Sequence, residues 1–367
     1  MNFKDFSGAT VVVTGHTGFK GSWLTAWLKN LGANVIGISL DPLTSPSHFD
    51  LLDLKNGMTD LRIDLCDFPK LKDAICDYKP DYLFHLAAQA LVKKSYDNPL
   101  ETWQTNLIGT VNILESLRSL NKRCSSVIIT SDKCYRNVEW VWGYRETDEL
   151  GGYDPYSASK GAAELAIRSY VKSYFSNSKN NSPRVASARA GNVIGGGDWS
   201  ADRIIPDCVK AWTSNSSVLL RNPHSTRPWQ HVLEPLSGYL WLALMLSETD
   251  SLNGESFNFG PSSLETQSVE ELVKNMATFW DKVSWRSSQM NDNHIHEAGL
   301  LKLNCDKASH LLNWSSSLSF IDTVQFTAEW YKNFYDNLLP IPDLTNLQIN
   351  AYTEISKSCG RKWACQF

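Results

Sequence analysis

The chain has 367 residues, 42% of them apolar and 20% charged, with a formal net charge of −4. That is the make-up of a soluble globular protein with room for one large or two ordinary domains, and the lack of a basic stripe argues against nucleic acid as a partner. Eight scattered cysteines without a CxxC pair, no secretory-type N-terminus and no apolar run of the ~18–20 residues that a membrane span needs lead us to expect a cytoplasmic protein with reduced thiols, no metal centre and no membrane segment.

In chain order, a strand is expected at Val11–Val13, followed by the run Gly15-His16-Thr17-Gly18-Phe19-Lys20-Gly21 and a helix over Ser22–Leu31. Further strands are expected at Asn34–Leu40, Leu61–Ile63, Tyr82–Leu86, Ser126–Ser131 and Val185–Ala188, with helices at Phe68–Tyr78, Pro99–Leu120 and Pro155–Phe175 between them. Runs such as Val127-Ile128-Ile129 are apolar on both faces, as buried parallel strands are. Strands alternating with helices predict an α/β fold, a doubly wound parallel sheet of the Rossmann kind over residues 1–189. After Arg189 the rhythm changes. Gly, Pro, Asn and Trp become frequent, and helices at Ile204–Trp212, Glu234–Ser247 and Val269–Trp280 stand apart from the sheet pattern. Residues 190–227 and 251–340 are therefore expected to form a smaller mixed α/β substrate-binding domain. Residues 228–250 are expected to pack back on the first domain, and residues 341–367 to form a tail that gives little to read.

Strand, glycine turn and helix in that order make a dinucleotide phosphate site, because glycines let the backbone approach a pyrophosphate and a helix N-terminus attracts anions. Gly15, Thr17, Gly18, Phe19 and Lys20 are the candidate residues there. Asp41, about 20 residues on at the end of the second strand, is placed to accept hydrogen bonds from a ribose 2′-hydroxyl, which favours NAD over NADP; the alternative is a turn residue before Pro42. Asp64, after the third strand, is a candidate for the adenine amino group or for a helix cap. Its neighbour Leu65 belongs to the same wall. Ala87, Ala88 and Gln89 end the fourth strand, where small residues permit close cofactor contact or simply tight packing.

Tyr156 and Lys160 carry the second signal. Asp154-Pro155 reads as a helix start, with Asp as N-cap and Pro in the first turn, so the two side chains lie one turn apart on one face. The Lys160 ammonium and the helix N-terminus are expected to lower the phenol pKa from its usual value near ~10, making Tyr156 a base for hydride chemistry at an alcohol. Ser131 sits at a polar strand end upstream.

With these residues the chain resembles the extended short-chain dehydrogenases/reductases over roughly residues 8–330. Asp132-Lys133, directly after Ser131, narrows the resemblance to the sugar-nucleotide 4,6-dehydratases, most of which have Asp-Glu there. The lysine, with His16–Trp23 and the stretch Arg227-Pro228-Trp229-Gln230-His231-Val232, resembles the branch that acts on CDP-glucose. The resemblance implies NAD as a cofactor kept through the turnover, Tyr156 as base, Ser131 on the reacting hydroxyl and Asp132 as acid toward the leaving 6-hydroxyl. Lys133 is then a C5 base, or a cation that stabilises the enolate or orients Asp132. It also implies a nucleotide-diphosphate contact from Asn192, a homodimer, and a product used for 3,6-dideoxyhexoses of a surface polysaccharide such as O-antigen. Arg203, Arg221, Arg227 and His231 are candidates for the diphosphate and ribose, since guanidinium forks match phosphate oxygens. Trp140 and Trp142 are expected either to cover the sugar or to pack their own loop.

Overall fold

Three valines between two threonines make the first strand, β1 (Thr10–Thr14); β-branched side chains suit a strand buried on both faces. Around it lie β2 (Asn34–Ser39), β3 (Thr59–Arg62), β4 (Tyr82–His85), β5 (Ser125–Ile129) and β6 (Arg184–Ala190). The computed structural model describes residues 2–176, 181–262, 265–280, 283–287 and 299–365. Within them the main sheet runs Ser256–Phe259, β6, β5, β4, β1, β2, β3, and every pairing is parallel. The strand order reverses between β4 and β1, the position at which doubly wound sheets open a crevice beyond their carboxyl ends. Strand Ser256–Phe259, the seventh, had no distinguishing pattern in the sequence.

Helices cover both faces. On one side Phe68–Tyr78, Gly109–Ser119 and Pro155–Tyr170 bury Ile75, Ile113, Leu117 and Ile167 against the sheet. The stretch expected as one helix from Pro99 to Leu120 is broken: Pro99–Trp103 leads into a π-turn at Gln104–Ile108 before Gly109–Ser119 resumes. A second π-turn, Val171–Phe175, ends the helix that begins at Pro155. On the other side lie α1 (Phe19–Asn30) and the strongly apolar Leu233–Glu248, which packs on β5 and β6. The C-terminal stretch is also core: Ile341–Ser358 packs on α1 and on Phe320–Asp336, and Trp363 stacks on Phe3 and Tyr352 with ring centroids 5.0 and 5.6 Å apart.

Above the carboxyl edge, the described residues after β6 form three small strand pairs and two helices. Val193–Ile194 pairs with Gln230–His231, Thr226–Arg227 with Gln267–Ser268, and Val218–Leu220 with Trp285–Ser287. The helices are Ile204–Thr213 and Val269–Ala277. Between this layer and the strand ends of the sheet lies the major cleft.

Candidate active site

The cleft measures about 1590 Å³. A single small-molecule site is typically ~300–1,000 Å³, so this one has space for two ligands side by side. Its floor at one end is the glycine run. Gly15 takes a φ of +74°, and a Cβ there would lie 2.6 Å from the Ala87 amide nitrogen; a Cβ on Gly21 would lie 2.0 Å from the Gly15 carbonyl oxygen. Only glycine closes this turn. Gly18 caps α1 without any side-chain hydrogen bond, so the first-turn N–H groups of α1 are left for a ligand to satisfy, and Gly18, Phe19 and Lys20 line the cleft. These residues fit a pyrophosphate.

The adenosine end follows from β2, β3 and β4. Thr17 Oγ1 donates to the Leu40 carbonyl at 3.0 Å and meets Ser39 Oγ at 2.8 Å. Asp41 projects into solvent with 88% of its side chain exposed, 3.5 Å from the Arg62 Nε. Asp64 accepts the Cys66 N–H at 2.9 Å, and the cap of helix Phe68–Tyr78 is Asp67 instead. Leu65 is buried beside Gly109, and Ala87, Ala88 and Gln89 continue the wall. The Gln89 side chain donates to Leu91 O and Thr102 Oγ1, both at 3.0 Å, which holds it to its own loop.

The catalytic candidates converge where β5 ends. Ser131 Oγ donates to Asp132 Oδ1 at 2.9 Å and accepts the Lys133 N–H at 3.2 Å, and Tyr156 lines the cleft with them. Asp132 is buried; its Oδ2 accepts from Asn192 Nδ2 at 3.5 Å, and a Cβ on Gly191 would lie 1.9 Å from that oxygen. Helix Pro155–Tyr170 starts as its capping pattern dictates, with Asp154 accepting the Ser157 N–H at 2.9 Å. Lys160, one turn beyond Tyr156, is buried beneath the cleft and donates to the Ile129 carbonyl at 3.4 Å. Lys133 is half-buried and lines the cleft.

One expectation is corrected here. The Tyr156 phenol is not lowered. Burial pushes it up to about 12, against the downward pull of its Ser131 hydrogen bond, while the Asp132 charge adds to the rise. Lys160 does not offset this, because burial and the Lys20 charge push Lys160 itself down to about 8. Lys20 is lowered likewise to about 8, by burial and by Arg203.

On the substrate wall, Asn192 adopts a φ of +52° after Gly191. Arg203 Nη1 donates to Asp198 Oδ2 at 2.7 Å, Arg221 Nη1 lies 3.5 Å from Asp202 Oδ1, and Arg227 Nη1 donates to Thr226 O at 2.9 Å. All four line the cleft. His231 does not join them. It is fully buried, accepts the Leu233 N–H at 3.4 Å, and packs its ring edge-on to Trp23 and Phe326. Burial pushes its pKa down to about 3, so it is a neutral packing residue, removed from any diphosphate. Trp140 stacks on Tyr144 with centroids 5.2 Å apart and meets Trp142 edge-on, while Trp142 itself is exposed at 69%.

The family model for GDP-mannose 4,6-dehydratase matches residues 12–327. This chain belongs to the GDP-mannose 4,6-dehydratase family. Among its relatives is the CDP-glucose 4,6-dehydratase of Salmonella typhimurium, 48% identical over 90% of this chain and 92% of that one. An epimerase from Methanothermobacter thermautotrophicus shares the fold with a TM-score of 0.77, at 22% identity over 91% of this chain and 95% of that one. The dTDP-glucose 4,6-dehydratase of Bacillus anthracis, solved in complex with NAD, does so with a TM-score of 0.72, at 20% identity over 90% and 98%.

Several residues that shape the site in this 4,6-dehydratase family member carry no sequence signal of their own. Asn106 lies in the π-turn, accepts the Gln89 N–H at 2.9 Å and donates to Ser159 Oγ at 2.9 Å, tying the β4 loop to the Tyr156 helix. His85 bridges Thr14 Nδ1-to-Oγ1 at 2.7 Å and Thr110 through its other ring nitrogen at 3.2 Å, under the glycine turn. Gly191 could have been read from its place before Asn192 at the end of an apolar strand.

Proposed function

We propose that this protein is a lyase that converts CDP-D-glucose to CDP-4-dehydro-6-deoxy-D-glucose and water. The observation that carries the reading is the convergence of Asp132, Ser131 and Tyr156 on one part of the cleft at the end of β5, with Ser131 hydrogen-bonded to Asp132 and Lys133 beside them. An enzyme that only moved hydride at C4 would need Ser131, Tyr156 and Lys160 but would have no use for an acid at Asp132. The similarity to the Salmonella CDP-glucose 4,6-dehydratase over nearly the whole chain supports the same reaction and the same nucleotide.

NAD held in this cradle would supply the acceptor for hydride from C4 of the sugar and the hydride for C6. The residues that would hold it are Gly15, Thr17, Gly18, Phe19 and Lys20 at the diphosphate, Asp41 and Asp64 at the adenosine, and Leu65, Ala87, Ala88 and Gln89 along the wall. Tyr156 takes the proton of the 4-hydroxyl only as the phenolate, a form its raised pKa makes scarce before substrate binds, and Ser131 holds that oxygen. The 4-ketone acidifies C5–H; Lys133 takes this proton, while Asp132, protonated, donates to the departing 6-hydroxyl, which leaves as water. The proton returns to C5 as C6 is reduced, so there is no net oxidation. Lys133 acts as a base only when its amine is neutral. Asn192, Arg203, Arg221 and Arg227 face the nucleotide diphosphate. Residues 1–189 form the cofactor side in this reading, and residues 190–227 with 251–340 the substrate side.

Exposed Leu100, Ile108 and Leu165 on the helices that begin at Pro99 and Pro155 support a homodimer through that face. Eight free cysteines fit a reducing, cytoplasmic setting. The product suits supply of dideoxysugars for a surface polysaccharide.

The test is a mass measurement. Incubated with CDP-glucose and no added NADH, the protein should yield a product lighter by one water, and slower turnover of dTDP-, GDP- and UDP-glucose. Unchanged mass with CDP-glucose overturns the dehydratase reading.

A further inference from the structure

Beneath the catalytic group lies a buried ion pair that the reaction above does not use. Glu164 stands on helix Pro155–Tyr170, one turn past Lys160 and two past Tyr156. Its partner Arg189 is the penultimate residue of β6, and both side chains are almost wholly enclosed, at 2% and 3% exposure. The pair is forked: Arg189 Nε donates to Glu164 Oε1 at 2.9 Å and Nη2 to Oε2 at 2.8 Å. Glu164 accepts three further hydroxyls, Thr130 Oγ1 at 2.5 Å, Ser187 Oγ at 2.8 Å and Ser256 Oγ at 3.2 Å. Thr130 is the residue before Ser131, so the carboxylate grips the strand end from which Ser131, Asp132 and Lys133 project.

Arg189 extends the network outward. Its Nη1 donates to Tyr135 Oη at 2.7 Å and to the Glu146 carbonyl at 3.2 Å. Tyr135 donates in turn to Asn258 Oδ1 at 2.7 Å, and Asn258 donates its N–H to Glu146 Oε1 and its Nδ2 to the Tyr144 carbonyl, both at 2.8 Å. Tyr144 and Glu146 belong to the insertion after the catalytic turn, the same segment whose residues Asn137 to Glu139 line the cleft. One continuous set of buried hydrogen bonds thus joins the helix of Tyr156 and Lys160, the turn of Ser131 to Lys133, and the substrate-side insertion.

We propose that Glu164 is a positioning residue for the reaction, acting through Thr130 and Arg189 to hold the catalytic helix, the catalytic turn and the 136–151 insertion in one register. Stability alone does not account for the pair. An enclosed ion pair replaced whole by apolar side chains is often no less stable, whereas a lost partner leaves an uncompensated charge. What an apolar pair cannot do is fix the direction of Thr130 and Tyr135, and a misplacement of about 1 Å at reacting groups costs on the order of 100-fold in rate.

The assay rests on the proposed dehydratase activity, so a second readout is independent of it. The double variant Glu164→Met/Arg189→Met removes both charges together. It is expected to fold, bind NAD and keep KM for CDP-glucose within a few-fold of wild type while kcat falls about 30–100-fold. Thr130→Val, which cuts only the tie to the catalytic turn, is expected to lower kcat about tenfold with KM unmoved. Hydrogen exchange without substrate is expected to speed up at amides 131–151 in the double variant, or in Thr130→Val should the double variant not fold. Wild-type kcat in folded double variant or in Thr130→Val, or unaltered exchange over 131–151, overturns the proposal. A wild-type protein that does not turn over CDP-glucose overturns the functional reading alone, and the exchange experiment then decides this one.

Discussion

At the cofactor end the cleft is walled by backbone: Gly15, Gly18 and Gly21 turn so tightly that a Cβ on the first or last would collide with Ala87 or with Gly15 itself. At the catalytic end it is walled by side chains drawn from four separate stretches, Ser131 to Lys133, Tyr156, Asn192 and Arg203. The first end is decided within seven consecutive residues, Gly15 to Gly21. The second exists only because β5 and β6 lie side by side and the Pro155–Tyr170 helix crosses them. A backbone site of this kind tolerates changes in the side chains around it but no added Cβ; a side-chain site is sensitive to anything that moves one of its strands.

The sharpest test of that contrast is Tyr156→Phe. It leaves the cradle untouched and removes the proton acceptor, so kcat should fall by about 10²–10⁴-fold while NAD affinity, read by titration calorimetry, stays as it was. Equal losses in both would erase the distinction between the two ends. Gly191→Ala comes next. The added Cβ would sit 1.9 Å from Asp132 Oδ2, so the carboxylate must move. Water loss should slow on the order of 100-fold, whereas C4 oxidation, followed by absorbance of the reduced nicotinamide, should continue. Loss of both half-reactions would show that Asp132 is not specific to elimination.

Gly15→Ala is the mirror experiment. A φ of +74° and the Ala87 backbone at 2.6 Å oppose the new Cβ, and strain of about 1–3 kcal/mol predicts NAD binding weaker by roughly 10–100-fold, with nucleotide-sugar binding preserved. Weakened binding of both ligands would mean that the two ends are mechanically one.

The smallest expected effect on turnover lies outside both ends. Glu234, fully buried, accepts the Ser317 and Leu318 N–H groups at 2.8 and 2.6 Å and the Tyr352 hydroxyl at 2.9 Å, which ties Leu233–Glu248 to the C-terminal helix. Burial raises its carboxyl from 4.5 to about 7. Between those values the folded chain holds a proton that the unfolded chain has released, so stability falls as pH rises through the window, by about 3 kcal/mol in all. Glu234→Gln should flatten that slope in denaturant melts at pH 4.5 to 7 and leave kcat alone. A slope retained in the variant would assign it to other groups.

How far the site could be read in advance follows the same division. The GxxGxxG run, the Asp154-Pro155 cap and the Tyr156–Lys160 spacing are contacts between residues a few positions apart, and each is in place. The helix expected from Pro99 to Leu120 missed its π-turn because the turn answers to Gln89 and Ser159, far away in sequence. Tyr156 illustrates the limit most clearly. Lys160 beside it promised a lowered phenol, yet burial raises the phenol, and burial together with a second lysine, Lys20, lowers Lys160; neither effect is visible in a YxxxK spacing.

The amino-acid sequence by itself determined the alternation of strands and helices, the glycine turn at the start of α1 and the one-turn spacing of Tyr156 and Lys160, because these depend on periodicity, glycine conformation and helix geometry. Only the tertiary structure decided that strand Ser256–Phe259 completes the sheet, that His231 is packed away from the cleft, and that Glu164 meets Arg189 and Thr130. Those outcomes depend on which surfaces exclude water and which distant strands become neighbours, and desolvation and long-range contact have no local pattern to betray them.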